Sequence, residues 1–147
     1  MKTLFLYMDM AEKIKLTLLG TGSAIPTARR NHPAVLIQFK DENILVDCGE
    51  GTQRQFRKAK LNPCKITRIL ITHWHGDHTL GLPGLLQTLT LNGYNKTLKI
   101  YGPSGTKRKM QNIIDNFMKF YLKIAEQEGT KFKMKIHEVS SAKPMTK

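Results

Sequence analysis

The sequence predicts an α/β fold, and three observations support this prediction. Short apolar runs typical of strands alternate with longer segments typical of helices along most of the chain. A length of 147 residues gives room for one hydrophobic core, so residues 1–147 are expected to form a single domain. The apolar content of 40% and the charged content of 24% are ordinary for a globular chain.

The first third of the chain is expected to form three strands. Lys13–Leu19 alternates between apolar and polar residues and runs into a tight glycine turn at Gly20–Ser23. The runs Ala34–Phe39 and Asn43–Asp47 are separated by the polar Lys40–Glu42, which predicts a hairpin.

The first helix is predicted over Thr52–Lys60, after a glycine-hinged loop at Asp47–Gly51. Phe56 and Ala59 would lie on its inner side, and Asn62-Pro63 would end it.

A strand and a second helix follow. Arg68–Thr72 reads as a buried strand, and Leu82–Leu91 reads as a helix that opens at Gly81-Leu82-Pro83, where proline is tolerated in the first turn. Asn92-Gly93 would close the helix, and Leu98–Tyr101 predicts the next strand.

The last third predicts a long helix and a final strand. The helix would run from Thr106 to about Glu128, after a turn at Gly102–Gly105, and Phe132–Val139 alternates like a strand. We expect the apolar residues of the helix to pack into the core: Met110, Ile113, Ile114, Phe117, Phe120, Tyr121 and Ile124. Residues 143–147 are expected to be frayed.

Charge and cysteine usage limit the partners and the cell compartment expected for this chain. Lys and Arg number 24 against 11 Asp and Glu, so the net charge is +13 and a polyanion such as nucleic acid is an expected partner. The alternative is a solvated cationic surface. No apolar stretch approaches the ~20 residues of a membrane span, and two cysteines without a C-x-x-C pair indicate a reduced, cytoplasmic chain. Residues 1–13 are expected to be disordered or to hold an upstream start.

The segment His73–His78 carries the strongest chemical signal. His73, His75, Asp77 and His78 place three imidazoles and a carboxylate within six residues, a ligand set suited to zinc. Side chains two apart on an extended strand end point the same way, so His73 and His75 can share one ion. Gly76 then allows a sharp turn that brings Asp77 and His78 to a second ion. A single histidine beside a strand would instead be a surface or satisfied core residue.

With these residues the chain resembles the metallo-β-lactamase superfamily, whose hallmark is H-x-H-x-D-H after a strand, and within it the ribonuclease Z branch of tRNA 3′-processing endonucleases. Six segments carry the likeness: Leu19–Ala24, Pro26–Asn31, Val46–Gln53, Leu70–His78, Gly81–Leu85 and Tyr101–Pro103. The likeness extends over nearly the whole chain from about residue 14.

The resemblance implies a fold, a metal pair and a mechanism. The fold is an αββα sandwich with its metal site between the sheets, and the cofactor is two Zn²⁺ ions, with His73 and His75 on one and Asp77 and His78 on the other. Asp77 is implied as the catalytic proton acceptor, and Asp47 would hold a ligand imidazole by its far N–H. A loop-capping carboxylate is the alternative for Asp47. The implied reaction is metal-hydroxide attack on a phosphodiester.

The resemblance also implies the partners. Pro26–Asn31 corresponds to a loop that reads the tRNA acceptor end, with Arg30 and Asn31 as donors to phosphates or base edges. Taken alone, this stretch would be a plain solvated turn. The family also dimerises, so a homodimer is one expectation, beside precursor tRNA as the substrate.

The family site needs three further ligands, a His, an Asp and a second His, which lie beyond the matching segments. We therefore expect an incomplete metallo-β-lactamase domain, the first half of the sandwich, which binds one metal or binds metal weakly and needs a complementing carboxy-terminal half. Neither His32 nor His137 is assigned a role. Three functions follow from the sequence: removal of the 3′ trailer from precursor tRNA, hydrolysis of a small phosphodiester, thioester or β-lactam on the same scaffold, and non-catalytic binding of RNA or metal.

Overall fold

A computed structural model describes residues 13–140, and a mixed six-stranded sheet runs through this part of the chain. The strands lie side by side in chain order: β1 (Lys15–Gly20), β2 (Ala34–Phe39), β3 (Glu42–Val46), β4 (Arg68–Leu70), β5 (Thr97–Gly102) and β6 (Lys133–Glu138). The pairs β1–β2 and β2–β3 are antiparallel, whereas β3 to β6 run parallel. The predicted α/β class and hairpin are confirmed.

Helices supply the connections between the parallel strands, as such connections require. They are α1 (Thr52–Lys58), α2 (Gly76–Thr79), α3 (Leu82–Leu91), α4 (Thr106–Ile113) and α5 (Lys119–Gln127), with a 3₁₀ turn at Pro63–Lys65. The bounds predicted for α3 agree with those observed. The four-residue α2 was not predicted, because Gly76 read as a turn.

The hydrophobic core lies between one face of the sheet and the helices. Alternate strand residues point into it, and the fully buried ones include Leu45, Ile69, Leu98 and Ile100. The helices contribute Phe56, Leu82, Leu85, Leu86, Leu89, Met110 and Met118 to the same core. This arrangement fixes β4 tightly, so the strand that leads into the histidine segment is anchored.

The opposite face of the sheet is much less covered. On β1, Leu16 and Leu18 point to this face and are 64% and 67% exposed. The row through Leu16 continues across the sheet by register: Ile37, Ile44, Arg68, Lys99 and Lys135. Along this row the face therefore changes from apolar at β1–β3 to basic at β4–β6.

The long predicted helix is interrupted. A π-helical turn at Ile114–Met118 separates α4 from α5, and the extra residue in such a turn rotates the residues that follow. Met118 is fully buried as a result, whereas Phe117 and Phe120 are 58% and 69% exposed, so their predicted place in the core was wrong. Ala59 is also exposed rather than buried, because α1 ends one residue before it at Lys58.

Some expectations fall outside the described part of the chain. The structure does not describe residues 1–12 or residues 143–147, so the expectations for these positions stay predictions. Between residues 13 and 140, no helix combines the length and the apolar character needed to cross a membrane.

Candidate metal centre

The histidine segment leaves the sheet at the carboxyl end of β4 and enters α2. The backbone N–H of Ile71 still donates to Tyr101 of β5 at 2.7 Å, so the chain remains beside the sheet for one residue after the strand. Three imidazole rings then gather at this edge. The ring centroid of His73 lies 4.6 Å from that of His75 and 4.1 Å from that of His78.

Asp47 is the buried group on which this cluster rests. Its side chain is only 8% exposed, and its backbone has φ of 58°, a left-handed conformation that Asp tolerates better than most residues. Its carboxylate accepts hydrogen bonds from the Thr72 backbone N–H at 2.8 Å and from the Thr72 hydroxyl, at 3.0 Å to Oδ1 and 2.8 Å to Oδ2. The carboxylate thus ties the β3 loop to the start of the histidine segment.

His78 is the third partner of this carboxylate. Its Nδ1 lies 2.7 Å from Oδ2 of Asp47, and since the ionised carboxylate only accepts, Nδ1 is the nitrogen that donates. This leaves Nε2 as the acceptor, 3.5 Å from Oδ2 of Asp77. The contact between Asp47 and His78 has the geometry in which a carboxylate orients a metal-binding imidazole. The Thr72 hydroxyl lies 3.0 Å from Nδ1 of His73.

Two glycines allow the backbone segments around the cluster to approach each other. A Cβ on Gly49 would lie 2.2 Å from Cβ of His32 and 2.4 Å from the carbonyl oxygen of Asp77. A Cβ on Gly81 would lie 2.0 Å from the carbonyl oxygen of Gly49. All three distances are shorter than any real contact of a Cβ atom, so these positions require glycine.

The donor set suits a borderline metal, but the described residues do not complete a site. His73, His75, Asp77 and His78 are nitrogen and carboxylate donors of the kind zinc prefers, and the Asp47 bond leaves Nε2 of His78 free. Within residues 13–140, no group of three or more His, Cys, Asp or Glu side chains is arranged to hold a metal ion. These donors therefore fit part of a metal site rather than a whole one.

The loop predicted to contact RNA lies next to this cluster in the fold. Pro26 and Arg30 are exposed, and Thr27 accepts the backbone N–H of Arg30 at 3.0 Å, which closes a turn. Asn31 is half-buried, and its Nδ2 donates to the carbonyl oxygen of Glu50 at 2.5 Å. The loop is thereby joined to the segment that carries Asp47.

Two contacts in this region were not anticipated from the sequence. Thr72 contacts both Asp47 and His73. Its place directly before the histidines is the local signal from which this contact could have been predicted. Trp74, between His73 and His75, donates from Nε1 to the hydroxyl of Thr106 at 2.9 Å. No local pattern could reveal a contact between residues so far apart in the chain.

The other two histidines lie apart from the cluster. The ring of His137 stacks on Tyr101 with centroids 4.8 Å apart. His32 is buried against Gly49, and neither of its ring nitrogens has a hydrogen-bond partner among the described residues.

Comparison with known proteins assigns this arrangement to a family. A family model described as Anti-Pycsar protein Apyc1 matches residues 14–144. The chain belongs to this family. The match covers all of the described strands and helices, including the histidine segment and the loop that carries Asp47.

Curated relatives carry the name that the motifs predicted. A ribonuclease Z of Methanococcus aeolicus is 47% identical over 132 residues, and one of Methanocaldococcus jannaschii is 44% identical over 133. Each match covers 90% of this chain but only 38% and 39% of the relative. The resemblance is confirmed, and the chain spans about two fifths of the length of the relatives it matches.

Solved structures agree with the fold. Human tRNase Z, short form, has a TM-score of 0.66 and 38% identity, and the match covers 87% of this chain and 46% of that one. The metallo-β-lactamase fold protein YhfI of Bacillus subtilis also has a TM-score of 0.66, at 23% identity, over 92% of this chain and 49% of that one. The metallo-β-lactamase fold is therefore confirmed for this chain.

Proposed function

We propose that this chain forms part of a zinc-dependent endoribonuclease that removes the 3′ trailer of precursor tRNA. The observation that carries the proposal is the histidine segment, with its Asp47 brace, in a chain that is 44–47% identical to proteins named ribonuclease Z. The named activity belongs to those relatives, and its extension to this chain is the proposal.

His73, His75, Asp77 and His78 are the residues that would hold metal. A bound zinc pair would lower the pKa of water and neutralise charge that develops on the attacked phosphodiester. Asp77 is the proposed proton acceptor, the role that the family resemblance implies for this carboxylate, which lies 3.5 Å from Nε2 of His78. Asp47 keeps the His78 ring in one tautomer and one orientation, with Nδ1 as the donor.

Pro26, Arg30 and Asn31 are the proposed RNA contacts. Arg30 is exposed and can reach phosphate oxygens, whereas the Asn31 amide already donates to Glu50. We assign Asn31 the task of fixing the loop at a set position relative to Asp47, with its amide oxygen left for RNA.

The missing ligands would come from a complementing carboxy-terminal half. Leu16 and Leu18 leave an apolar strip on the open sheet face, of a kind that proteins normally cover with another element. The chain also spans only about two fifths of its relatives' length. We propose that this half covers the face and supplies the remaining His, Asp and His. We further propose a homodimer and a cytoplasmic location for the assembled enzyme.

A complementation assay tests the proposal. The chain would be incubated with zinc and a precursor tRNA that carries a 3′ trailer, alone and together with the part of the Methanococcus aeolicus ribonuclease Z that this chain does not match. We expect little cleavage by the chain alone and trailer removal by the mixture. The Asp77→Ala variant should lose cleavage by at least 10²-fold, the usual contribution of a general base.

A matched control separates the site from general damage. Glu126→Ala removes an exposed carboxylate on α5 and should leave trailer removal unchanged. Retained cleavage by the Asp77→Ala mixture, or no cleavage by the wild-type mixture under zinc saturation, would refute the proposal.

A second candidate is hydrolysis of another substrate on the same scaffold. It is kept because the matched family model is named for an anti-Pycsar protein rather than for a ribonuclease, so membership alone does not fix the substrate. Parallel assays with a chromogenic phosphodiester, a thioester, a β-lactam and precursor tRNA would rank these substrates. RNA binding without turnover of any of them would instead identify a non-catalytic binding protein.

A further inference from the structure

Three consecutive cations lie in the first turns of α4, directly beside the histidine segment. We call Lys107, Arg108 and Lys109 the α4 cations. Lys107 and Arg108 are exposed, and neither forms an ion pair with any residue between 13 and 140. They are therefore available to a partner outside this part of the chain.

Their position is unfavourable for the helix itself. The amino-terminal end of a helix carries partial positive charge, and cations there cost roughly 0.3–1 kcal/mol each. The first turn of α4 has no acidic residue and no side-chain cap, and its N-cap is Gly105. The carboxylate of Glu138 on β6 offsets part of this charge, because it accepts the backbone N–H of Lys107 at 2.9 Å. Helix stability thus gives no reason for three cations at this end.

Trp74 connects the α4 cations to the histidine cluster. Its indole Nε1 donates to the hydroxyl of Thr106, the first residue of α4, and that hydroxyl donates to Pro103 at 2.6 Å. Nζ of Lys109 lies 5.2 Å from the centroid of the indole ring, within the range of a cation–π interaction. Since Trp74 lies between His73 and His75 in sequence, these two contacts hold the first turn of α4 next to the histidine segment.

We propose that the α4 cations bind backbone phosphates of the RNA strand that enters the histidine cluster. This inference rests on the proposed endoribonuclease function and gives its substrate a second contact surface, separate from the Pro26–Asn31 loop. Phosphates are the complement of unpaired, exposed Lys and Arg side chains, and such contacts position a strand without reading its sequence. The surface lies on the helical side of the sheet, so a second half packed on the open face would leave it accessible.

The salt dependence of RNA binding tests the inference. Precursor tRNA would be titrated with the 147-residue chain in EDTA, which prevents cleavage, over a series of KCl concentrations. The slope of log K against log salt is negative, and each lost phosphate contact reduces its magnitude by about 0.7 to 0.9. We expect the double variant Lys107→Gln with Arg108→Gln to reduce the magnitude by about 1.4 to 1.8.

The control variant carries the same loss of charge elsewhere. Lys123→Gln with Lys131→Gln removes two exposed cations from the region of α5 and the loop after it, and should leave the slope unchanged. Trp74 is the single tryptophan of the chain, so its fluorescence reports directly on this surface. RNA should change the emission of Trp74 in the wild type and in the control, and change it much less in the α4 variant.

The outcomes are distinguishable from those of the cleavage assay. Equal slopes for all three proteins, equal loss in both variants, or no RNA binding by the wild type would overturn this inference. Trailer removal by the complemented enzyme with an unaltered slope would overturn it while the proposed function stands. Absence of cleavage together with the expected slope change would remove the proposed function and keep the α4 cations as an RNA-binding surface.

Discussion

The histidine segment and the Pro26–Asn31 loop both contact the Asp47–Gly51 segment, but they are built in different ways. The histidine segment is braced by buried groups, since Asp47 accepts from Thr72 and His78 and Trp74 is bonded to Thr106. The Pro26–Asn31 loop is exposed and is held to its neighbour through the Asn31 amide. Groups that must hold metal need a fixed geometry, whereas groups that meet a large RNA need access. This difference supports the proposal that the histidine segment carries the chemistry and the Pro26–Asn31 loop the recognition.

Removal of the Asp47 carboxylate should break the braced loop and have the largest effect. Asp47→Ala leaves the Thr72 N–H, the Thr72 hydroxyl and His78 Nδ1–H without their acceptor, and we expect the free energy of unfolding to fall by about 3 kcal/mol. Zinc affinity should fall 10- to 100-fold. Urea unfolding and zinc titration measure the two effects.

Asp47→Asn is the matched control for that change. Asn tolerates the left-handed backbone and keeps one oxygen acceptor, so most of the stability should return while zinc affinity stays reduced. Equal stability of the Ala variant and the wild type would show that Asp47 does not brace the loop.

A methyl group at Gly49 should force the two loops apart. Gly49→Ala brings its Cβ into the backbone of Asp77 and the side chain of His32, and overpacking of this kind costs about 1–3 kcal/mol, here toward the upper end. Gly129→Ala is the control. It has open space but φ of +75°, so a penalty of about 1 kcal/mol is expected from backbone strain alone. Thermal unfolding compares the variants, and a smaller loss at Gly49 than at Gly129 would contradict the close approach.

Release of the exposed loop should affect recognition more than stability. Asn31→Ala removes the bond to Glu50 and should cost about 1 kcal/mol of stability, because the site is only half-buried. Arg30→Ala should not change stability, since surface substitutions fall within about 0.5 kcal/mol, but it should weaken tRNA binding. Binding titrations and urea unfolding of both variants separate the roles. A large stability loss in Arg30→Ala would mean that the loop is packed rather than accessible.

The two cysteines differ in burial, and the reactivity of their thiols gives the smallest of the expected effects. Cys48, next to Asp47, is fully buried, and burial raises the pKa of its thiol to about 12. Burial also raises the pKa of Cys64, which lies closer to the surface. Because a raised pKa keeps a thiol protonated at pH 8, we expect Cys64 to react slowly with a disulfide reagent and Cys48 to react only after unfolding. Rapid labelling of Cys48 in the folded chain would show that the braced loop opens.

Much of the fold could be predicted because its signals are local. Period-two alternation marked β1 and β6, and two short apolar runs around a polar turn marked β2 and β3. The proline near its start and Asn92-Gly93 at its end bounded α3. The course of the helix after Gly105 was harder to predict from sequence. Its seven apolar residues are too many for one buried face, and the π-helical turn at Ile114–Met118 decided that Met118 is buried and Phe117 exposed.

The candidate site also has a part that the sequence predicts and a part that only the packing decides. The candidate donors of the histidine segment are adjacent in sequence, so residue type and spacing alone predicted them, and the motif predicted an imidazole partner for Asp47. The particular partner of Asp47 depended on how the β3 loop and α2 pack, which brought its Oδ2 to 2.7 Å from His78.

The sequence by itself determined the class of fold and the family and predicted the candidate metal donors, because these depend on residue type at short spacing. Tertiary structure alone decided that Trp74 bonds Thr106, that Gly49 must lack a side chain, and that Lys109 lies over the Trp74 ring. These contacts join segments far apart in the chain, which are brought together by the packing of strands and loops and not by any local preference.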